Sequence, residues 1–291
     1  MINKFMSIED IQKGYPKEIL NHISVVSRIE SFLEDQNVTP NPIDITFRLN
    51  DYHNSNYFRP SGLGNKTGKS LCGKYPIGCA CQLYYDYIGA PSTGLIEPRL
   101  RRIFDEGSAI HAVLQGYLST FAALTSGDED FNPEARINPN HNTIADMYDI
   151  SGSTDGIYTI HVPLQIRFGV EFKTINDEGY KKTNGPHTEH LIQGTVYQKC
   201  LDLPFMIFVY YNKNDSSIIE YVQIYDEHRW EAIVKKIQYV QEHAILKTPP
   251  NKEDGWHCNQ CKYKKICGPS NHKTNIKSAR TRLFEKNRGI I

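Results

Sequence analysis

Three cysteines stand within ten residues near the C-terminus, in the stretch "PPNKEDGWHCNQCKYKKICGP", spaced Cys258-x2-Cys261-x5-Cys267. Nothing else in the chain restricts the fold as strongly. Thiols so close together between prolines rarely arise from core packing alone, and three thiolates need a fourth ligand to close a site. The first residues, "MINKFMSIEDIQKGY", carry no apolar signal core. The expected location is therefore a reducing one, the cytoplasm of a bacterial or virus-infected cell, where all seven cysteines stay free to bind metal. The remaining candidates are Cys72, Cys79, Cys81 and Cys200. Cys200 follows "VYQK" at the end of a helical segment and reads as a small buried hydrophobe instead. A bridge from any of the others staples the two ends of the core. By analogy with a disulfide closing so long a loop, it constrains the unfolded chain by roughly 5 kcal/mol. Four thiolates suit zinc or an iron–sulfur cluster, and spacing alone does not separate them.

The rest of the chain can supply the core that such a staple would close. At 291 residues, with 39% hydrophobic, 11% aromatic and 23% charged residues, it reads as globular rather than disordered. Thirty-three basic residues balance thirty-three acidic ones, so bulk charge makes no case for nucleic acid. Their distribution is uneven. Lys273, Lys277, Arg280, Arg282, Lys286 and Arg288 face only Glu285 in the last stretch, leaving an acidic body with a basic tail. The longest apolar run, "LPFMIFVYY" from Leu203, is too short to span a membrane.

Periodicity sets the order of elements. Residues 17–35 show helical spacing, and a Gly- and Asn-rich polar stretch follows over 50–78. From Arg99 to Leu124, Ile103, Phe104, Ile110, Leu114, Tyr117 and Phe121 predict a helix with one buried stripe. "MYDISGSTDGIYTI" and "LQIRFGVEFKTI" read as strands separated by a break at Pro163. A helix over 187–200, a hairpin formed by "FMIFVYYN" and "IIEYVQIY", and an amphipathic helix over 226–246 complete the order. Strands and helices in this sequence predict one α/β core with a mixed sheet.

Within it, "GVEFKTI" (169–175) holds the only Asp/Glu-x-Lys of the chain. On a strand, Glu171 and Lys173 share a face. Asp155 in "SGSTDGIY" lies beside Gly156, where a turn residue is the commoner reading. Gly107 and His111 are four apart, hence on one helical face, as are Gln193 and Tyr197 in "HLIQGTVYQ". Each pair alone has an ordinary packing explanation.

Taken in order, Gly-x-x-x-His on a helix, Asp at a strand end, Glu-x-Lys on the next strand and Gln-x-x-x-Tyr on a helix resembles the RecB-like branch of the PD-(D/E)XK nucleases. The resemblance covers roughly residues 59–268. It implies a restriction-endonuclease-like core with a central mixed sheet flanked by helices, its N- and C-terminal segments joined by the cysteine site. Residues 1–58 would form an N-terminal helical extension, 59–270 the nuclease core and 271–291 a basic tail. His111, Asp155, Glu171 and the Phe172 carbonyl would hold Mg²⁺ or Mn²⁺. Lys173 would act with Asp155 and Glu171 in catalysis, and Gln193 and Tyr197 would hold the DNA strand or the geometry of the site. The chemistry asks for the same types: hard carboxylates hold the cation, an imidazole tilts the choice toward Mn²⁺, and an amine beside them orients water or stabilises developing charge.

"CACQLYYDYIGAP" resembles the cysteine-plus-aromatic segment of the iron–sulfur members of that branch, the CRISPR-associated RecB-like exonucleases and AddB-type helicase–nuclease subunits. There, one cysteine five positions before a Tyr-Tyr pair joins three C-terminal ones on a 4Fe-4S cluster. Counted back from Tyr84, that position is Cys79. Cys81 stands where those proteins usually carry a basic residue, and Cys72 is extra, so Cys79 and Cys81 both remain candidates, with structural zinc the alternative to iron–sulfur. "FRPSGLG" from Phe58 resembles the segment before that cysteine, separated from it here by an insertion. The expected activity is metal-dependent hydrolysis of DNA phosphodiesters, as an exonuclease at free ends in recombination, repair or replication. Structure-specific endonuclease action and non-catalytic DNA binding are the alternatives. No helicase motif is present, so unwinding would fall to a helicase or recombination partner.

Overall fold

A computed structural model describes residues 5–35, 56–64, 75–92, 97–162, 165–259 and 261–268. Cys72, the Pro163 break and the basic tail lie outside these residues. Three helices come first: α1 (Ile8–Lys13), α2 (Ile19–His22) and α3 (Val25–Glu34). Ser7 and Asp10 close a reciprocal capping box on α1. The helix expected over 17–35 is two helices, because Ser24 turns extended (ψ 122°) and accepts a bond from the Ser27 N–H, starting a new helix. Next come α4 (Pro60–Leu63), α5 (Ala80–Tyr87) and the long α6 (Pro98–Leu124). The stripe on α6 is displaced from the expected one. Its buried residues are Leu114, Leu118, Thr120 and Ala122, all in the C-terminal half, whereas Phe104 is 51% exposed. Helical periodicity reports a face; which turns of that face are covered is a tertiary matter.

β1 (Glu129–Pro133) and β2 (Arg136–Ile137) follow, then α7 (Thr143–Met147), β3 (Gly152–Ser153), β4 (Gly156–Ile160) and β5 (Ile166–Ile175). After these lie α8 (Asp177–Lys182), α9 (Thr188–Leu201), β6 (Phe205–Asn212), β7 (Ile218–Ile224), α10 (Glu227–Ile245) and α11 (Lys264–Cys267). Five strands form one sheet in the order β1-β4-β5-β6-β7, and β2 and β3 pair separately. β5 and β6 run parallel, joined through α8 and α9, while the other neighbours in the sheet are antiparallel. The expected α/β core with a central mixed sheet flanked by helices is thus the fold of this chain. β1 was not foreseen. "EDFNP" has no apolar alternation, and pairing with β4 rather than its own pattern makes it a strand.

The alternation of β6 shows why helices cover both faces of the sheet. Phe205, Ile207 and Val209 join a core with α1, α2, α3 and α6. Met206, Phe208 and Tyr210 join another with α5, α9 and α10. β5 repeats this asymmetrically. Phe168, Val170 and Phe172 are fully buried in the first core, leaving Gly169, Glu171 and Lys173 on the second face. The N-terminal helices are pinned by charge as well as packing. Glu220 on β7 accepts the Val25 and Val26 N–H groups (2.8 and 2.9 Å), a carboxylate at the N-terminus of α3. Arg28 grips Glu129 on β1 in a two-pronged ion pair (2.8 and 2.6 Å), and the Tyr158 hydroxyl donates to the same carboxylate. Among the described residues, no helix is long and apolar enough to cross a membrane.

Candidate active site

β5 delivers Glu171 and Lys173 to the face covered by α9, and α9 answers with Gln193. Lys173 Nζ donates to Glu171 Oε1 (2.8 Å) and to Gln193 Oε1 (3.0 Å), while Gln193 Nε2 donates to Glu171 Oε1 (2.8 Å). Gln193 Nε2 also reaches the Tyr197 hydroxyl at 3.1 Å, one helical turn on, and that hydroxyl donates to the Ser153 carbonyl at 2.6 Å. Both side chains are buried and their polar ends serve this network.

The other half comes from α6 and the start of β4. His111 Nδ1 lies 3.1 Å from Asp155 Oδ1, and Asp155 Oδ2 accepts the Phe172 N–H at 2.6 Å. That last bond ties the turn before β4 to β5 between Glu171 and Lys173. Gly156 is required directly after Asp155, because a Cβ there would sit 2.3 Å from the Phe131 ring. Gly107, one turn before His111, lets α6 approach Thr174, whose hydroxyl a Cβ would meet at 3.3 Å.

All the side chains singled out in sequence for this site, His111, Asp155, Glu171, Lys173, Gln193 and Tyr197, thus converge. Phe172 contributes its N–H to Asp155. Four partners were missed. Gln115, four residues after His111, donates to the Asp155 carbonyl (2.7 Å) and to Glu134 (3.2 Å), and Ser153 also donates to Glu134 (3.1 Å). Thr154, fully buried, donates to the Val170 carbonyl (2.8 Å) and lies 3.4 Å from Glu171 Oε2. Only Gln115 left a signal, its i+4 spacing from His111.

Charge in this pocket is unevenly compensated. Burial, then the neighbouring charge of Asp155, pushes Glu171 up to about 7 against the pull of Lys173 and His111. Burial also works against the Asp155 carboxylate, but His111, Lys173 and the Phe172 N–H outweigh it and hold Asp155 below the ordinary range. Burial likewise disfavours a charged His111, yet Asp155 and Glu171 win and raise it. Tyr197 is held well above its usual value, first by burial and then by Glu171. The buried Glu171 carboxylate and the part-buried Asp155 carboxylate offer oxygen donors of the type a divalent cation takes.

The cysteines form a second centre. Cys79, Cys81, Cys258, Cys261 and Cys267 line one pocket with Tyr85, Lys252 and Glu253 among its walls. Cys79 is the N-cap residue of α5, and Cys81 sits in the first turn. The Cys81 sulfur lies 3.1 Å from the Pro250 carbonyl. A hydrogen bond from Cys81 draws the Cys79 thiol down to about 6, against burial, and pushes Cys81 up. The C-terminal segment is also held by carboxylates. Glu253 accepts the Ala80 N–H (3.1 Å) and the fully buried Lys236 ammonium (2.7 Å). Asp86 accepts the Tyr263 hydroxyl (2.7 Å) and pairs with Lys262 (2.5 Å). Cys200 packs in the apolar core, where burial pushes its thiol up to about 12.

No protein-family model matches the chain, and no curated protein matches it significantly. Among solved structures it is similar to SSO0001, at 15% identity and TM-score 0.43, covering 85% of this chain and 97% of that one. It is also similar to an alkaline exonuclease from Laribacter hongkongensis, at 13% identity and TM-score 0.42, covering 66% of this chain and 89% of that one. That enzyme in complex with dAMP gives 13% identity, TM-score 0.44 and the same coverage. Likeness this distant does not reach to activity.

Proposed function

We propose that this chain is a metal-dependent nuclease that hydrolyses DNA phosphodiesters, acting as an exonuclease at free ends. The observation that carries the reading is the convergence of His111, Asp155, Glu171 and Lys173, drawn from three separate segments, on one part-buried polar cluster. A structural ion pair would need only two of them.

His111, Asp155, Glu171 and the Phe172 carbonyl would hold Mg²⁺ or Mn²⁺. When bound, the cation supplies Lewis-acid polarisation of the phosphoryl group and lowers the pKa of a coordinated water. The protein's own share follows from its hydrogen bonds. Lys173, steered by Gln193 and Glu171, presents its ammonium to the attacking water or the developing phosphoryl charge. Tyr197 anchors Gln193 to the Ser153 backbone, so the amine is preorganised rather than ordered at each turnover. Gln115 and Thr154 steady the turn that carries Asp155.

Five cysteines line one pocket, more than the four thiolates a metal group needs. Cys258, Cys261 and Cys267 with Cys79 would hold a 4Fe-4S cluster, Cys81 being the alternative fourth ligand and zinc the alternative metal. Its role in this reading is to staple the C-terminal segment to α5.

The test is a time course on end-labelled single- and double-stranded DNA with Mg²⁺, Mn²⁺ or EDTA. Labelled mononucleotides appearing first identify exonuclease action, and internal fragments would replace it with an endonuclease. Undiminished cleavage by contaminant-free Glu171→Ala protein would remove the assignment altogether. Anaerobically purified protein should be brown and carry about four irons per chain. Colourless protein with one zinc would replace the cluster and leave the nuclease reading standing.

A further inference from the structure

The sequence "HTEH" opens α9 one turn before Gln193 and places His187, Glu189 and His190 together. One donor atom from each lies within 4.8 Å of the others. Helix formation explains Glu189, an acid in the first turn of α9, but not the two imidazoles. His187 is the N-cap, yet its side chain makes none of the capping bonds that Ser, Thr, Asp or Asn make there. The trio is instead oriented from the sheet. The hydroxyl of Tyr210, buried on β6, accepts the His187 N–H at 3.0 Å and lies 2.7 Å from His190 Nδ1. The two imidazoles stack at 5.2 Å with 15° between their planes, and His187 Nδ1 is 3.8 Å from Glu189 Oε1. An imidazole fixed through one nitrogen by a buried oxygen is the outer support that metal-bound histidines ordinarily have.

We propose that His187, Glu189 and His190 form a second cation site, selective for an imidazole-preferring divalent ion of the Zn²⁺ or Co²⁺ class. Two imidazoles and one carboxylate make a three-ligand set that leaves a coordination position open to water or an anionic oxygen. Mg²⁺, which prefers an oxygen shell, is poorly served by it. The positive end of the α9 dipole opposes a cation here, so binding rests on the donors, and the charge of Glu189 is indispensable to it. Tyr210 stands opposite Lys173 in the β5–β6 register, which puts this site on the sheet face that carries the candidate active site. Four residues of helix separate Glu189 from Gln193, a rise of about 6 Å. The donors are distinct from His111, Asp155 and Glu171, and the site stands whether or not the chain is a nuclease.

Full-length protein of known iron and zinc content is titrated with Co²⁺ and followed by its visible ligand-field bands. Thiolate-to-cobalt charge transfer in the near ultraviolet reports the cysteine pocket separately. Glu171→Gln, which removes a donor of the proposed nuclease centre and is the background for the variants below, should bind one cobalt in a nitrogen–oxygen environment. The parent should show the same band, with a second cobalt wherever that centre also takes the ion. Glu189→Gln and His190→Gln should lose that band. Tyr210→Phe removes no donor and should weaken cobalt binding about 10- to 100-fold, which a purely structural trio would not produce. Should His190→Gln fail to fold, His187→Asn keeps a capping residue at the N-cap and carries the same expectation. An unchanged cobalt spectrum in both Glu189→Gln and a folded histidine variant, or no nitrogen–oxygen band in the parent, would overturn the site.

Discussion

The candidate active site and the cysteine pocket are both polar centres in an apolar fold, but they are built in opposite ways. The first is carried by regular elements. Glu171 and Lys173 share a face by strand alternation, Gln193 and Tyr197 by helical spacing, and short hydrogen bonds lock the two elements together. The second is carried by chain closure. Its sulfurs come from the first turn of α5 and from the segment after α10, held in place by buried carboxylates. A centre of the first kind loses chemistry when one member is removed, whereas one of the second kind loses structure.

The sharpest way to break this contrast is Glu171→Gln. The amide keeps the size of the side chain and can still accept from Lys173, so the melting temperature should stay close to that of the parent. Cleavage should fall by about 10³-fold or more, because a charge that acts at the transition state is gone. Single-turnover cleavage and thermal melts on the same preparation check this. Parallel losses of activity and stability would put Glu171 among the structural residues.

Cys258→Ala should do the reverse. If a bound group bridges this residue to α5, its loss removes a constraint of roughly 5 kcal/mol, lowering soluble yield and melting temperature together with colour. Activity per folded molecule should change little, since the hydrogen bonds described at the active site include none of these sulfurs. Chemical denaturation of protein with and without the bound group measures the effect. Equal midpoints would leave the pocket without a stapling role.

These two centres were also unequally legible. The ordered set from His111 to Tyr197 could be read because each pair follows the period of its own element, and one strand and two helices then bring the pairs together. Gln115 was half visible, spaced correctly but with no reason to be polar until the Asp155 carbonyl appeared beside it. Thr154 gave no signal, since its partners are a backbone carbonyl and a carboxylate on the neighbouring strand. The cysteines gave composition without register. Cys79 and Cys81, at the start of one short helix, both reach the pocket, so spacing cannot choose between them. Of the remaining differences, the exposure of Phe104 and the edge strand β1 depend on neighbours distant in sequence, whereas the break at Ser24 is a local cap within the helical pattern.

The buried Lys236–Glu253 pair separates what a group in the cysteine pocket would contribute from what the polypeptide does. Lys236→Ala leaves Glu253 buried without its main counter-charge and should cost about 3–5 kcal/mol. Lys236→Met, which fills the volume, should cost less when combined with Glu253→Gln than alone, because the uncompensated charge is then gone. Urea denaturation of the three variants, each with and without whatever metal the cysteine pocket takes up, gives the comparison. If Lys236→Ala is harmless only in the loaded protein, the two devices are redundant holds on one segment.

The smallest effect is expected at the Arg28–Glu129 pair, which touches neither centre and serves as a reference. Burial works against the Glu129 carboxylate, but hydrogen bonds from Arg28 and Tyr158 prevail and hold its pKa below the ordinary value. A depressed folded-state pKa means that the unfolded chain takes up the proton first as acid is added. Stability from this pair is therefore complete above the unfolded glutamate value of about 4.3 and is lost as pH falls through the folded one. Thermal melts of parent and Glu129→Gln from neutral pH downward should show a constant gap until about pH 4 to 5, then a narrowing one. Such a gap should be blind to iron loading and to substitution of Glu171. If it widened on acidification instead, the Glu129 carboxylate would be the weaker acid in the folded chain, and the docking of α3 would rest on apolar packing and the Glu220 contacts without this pair.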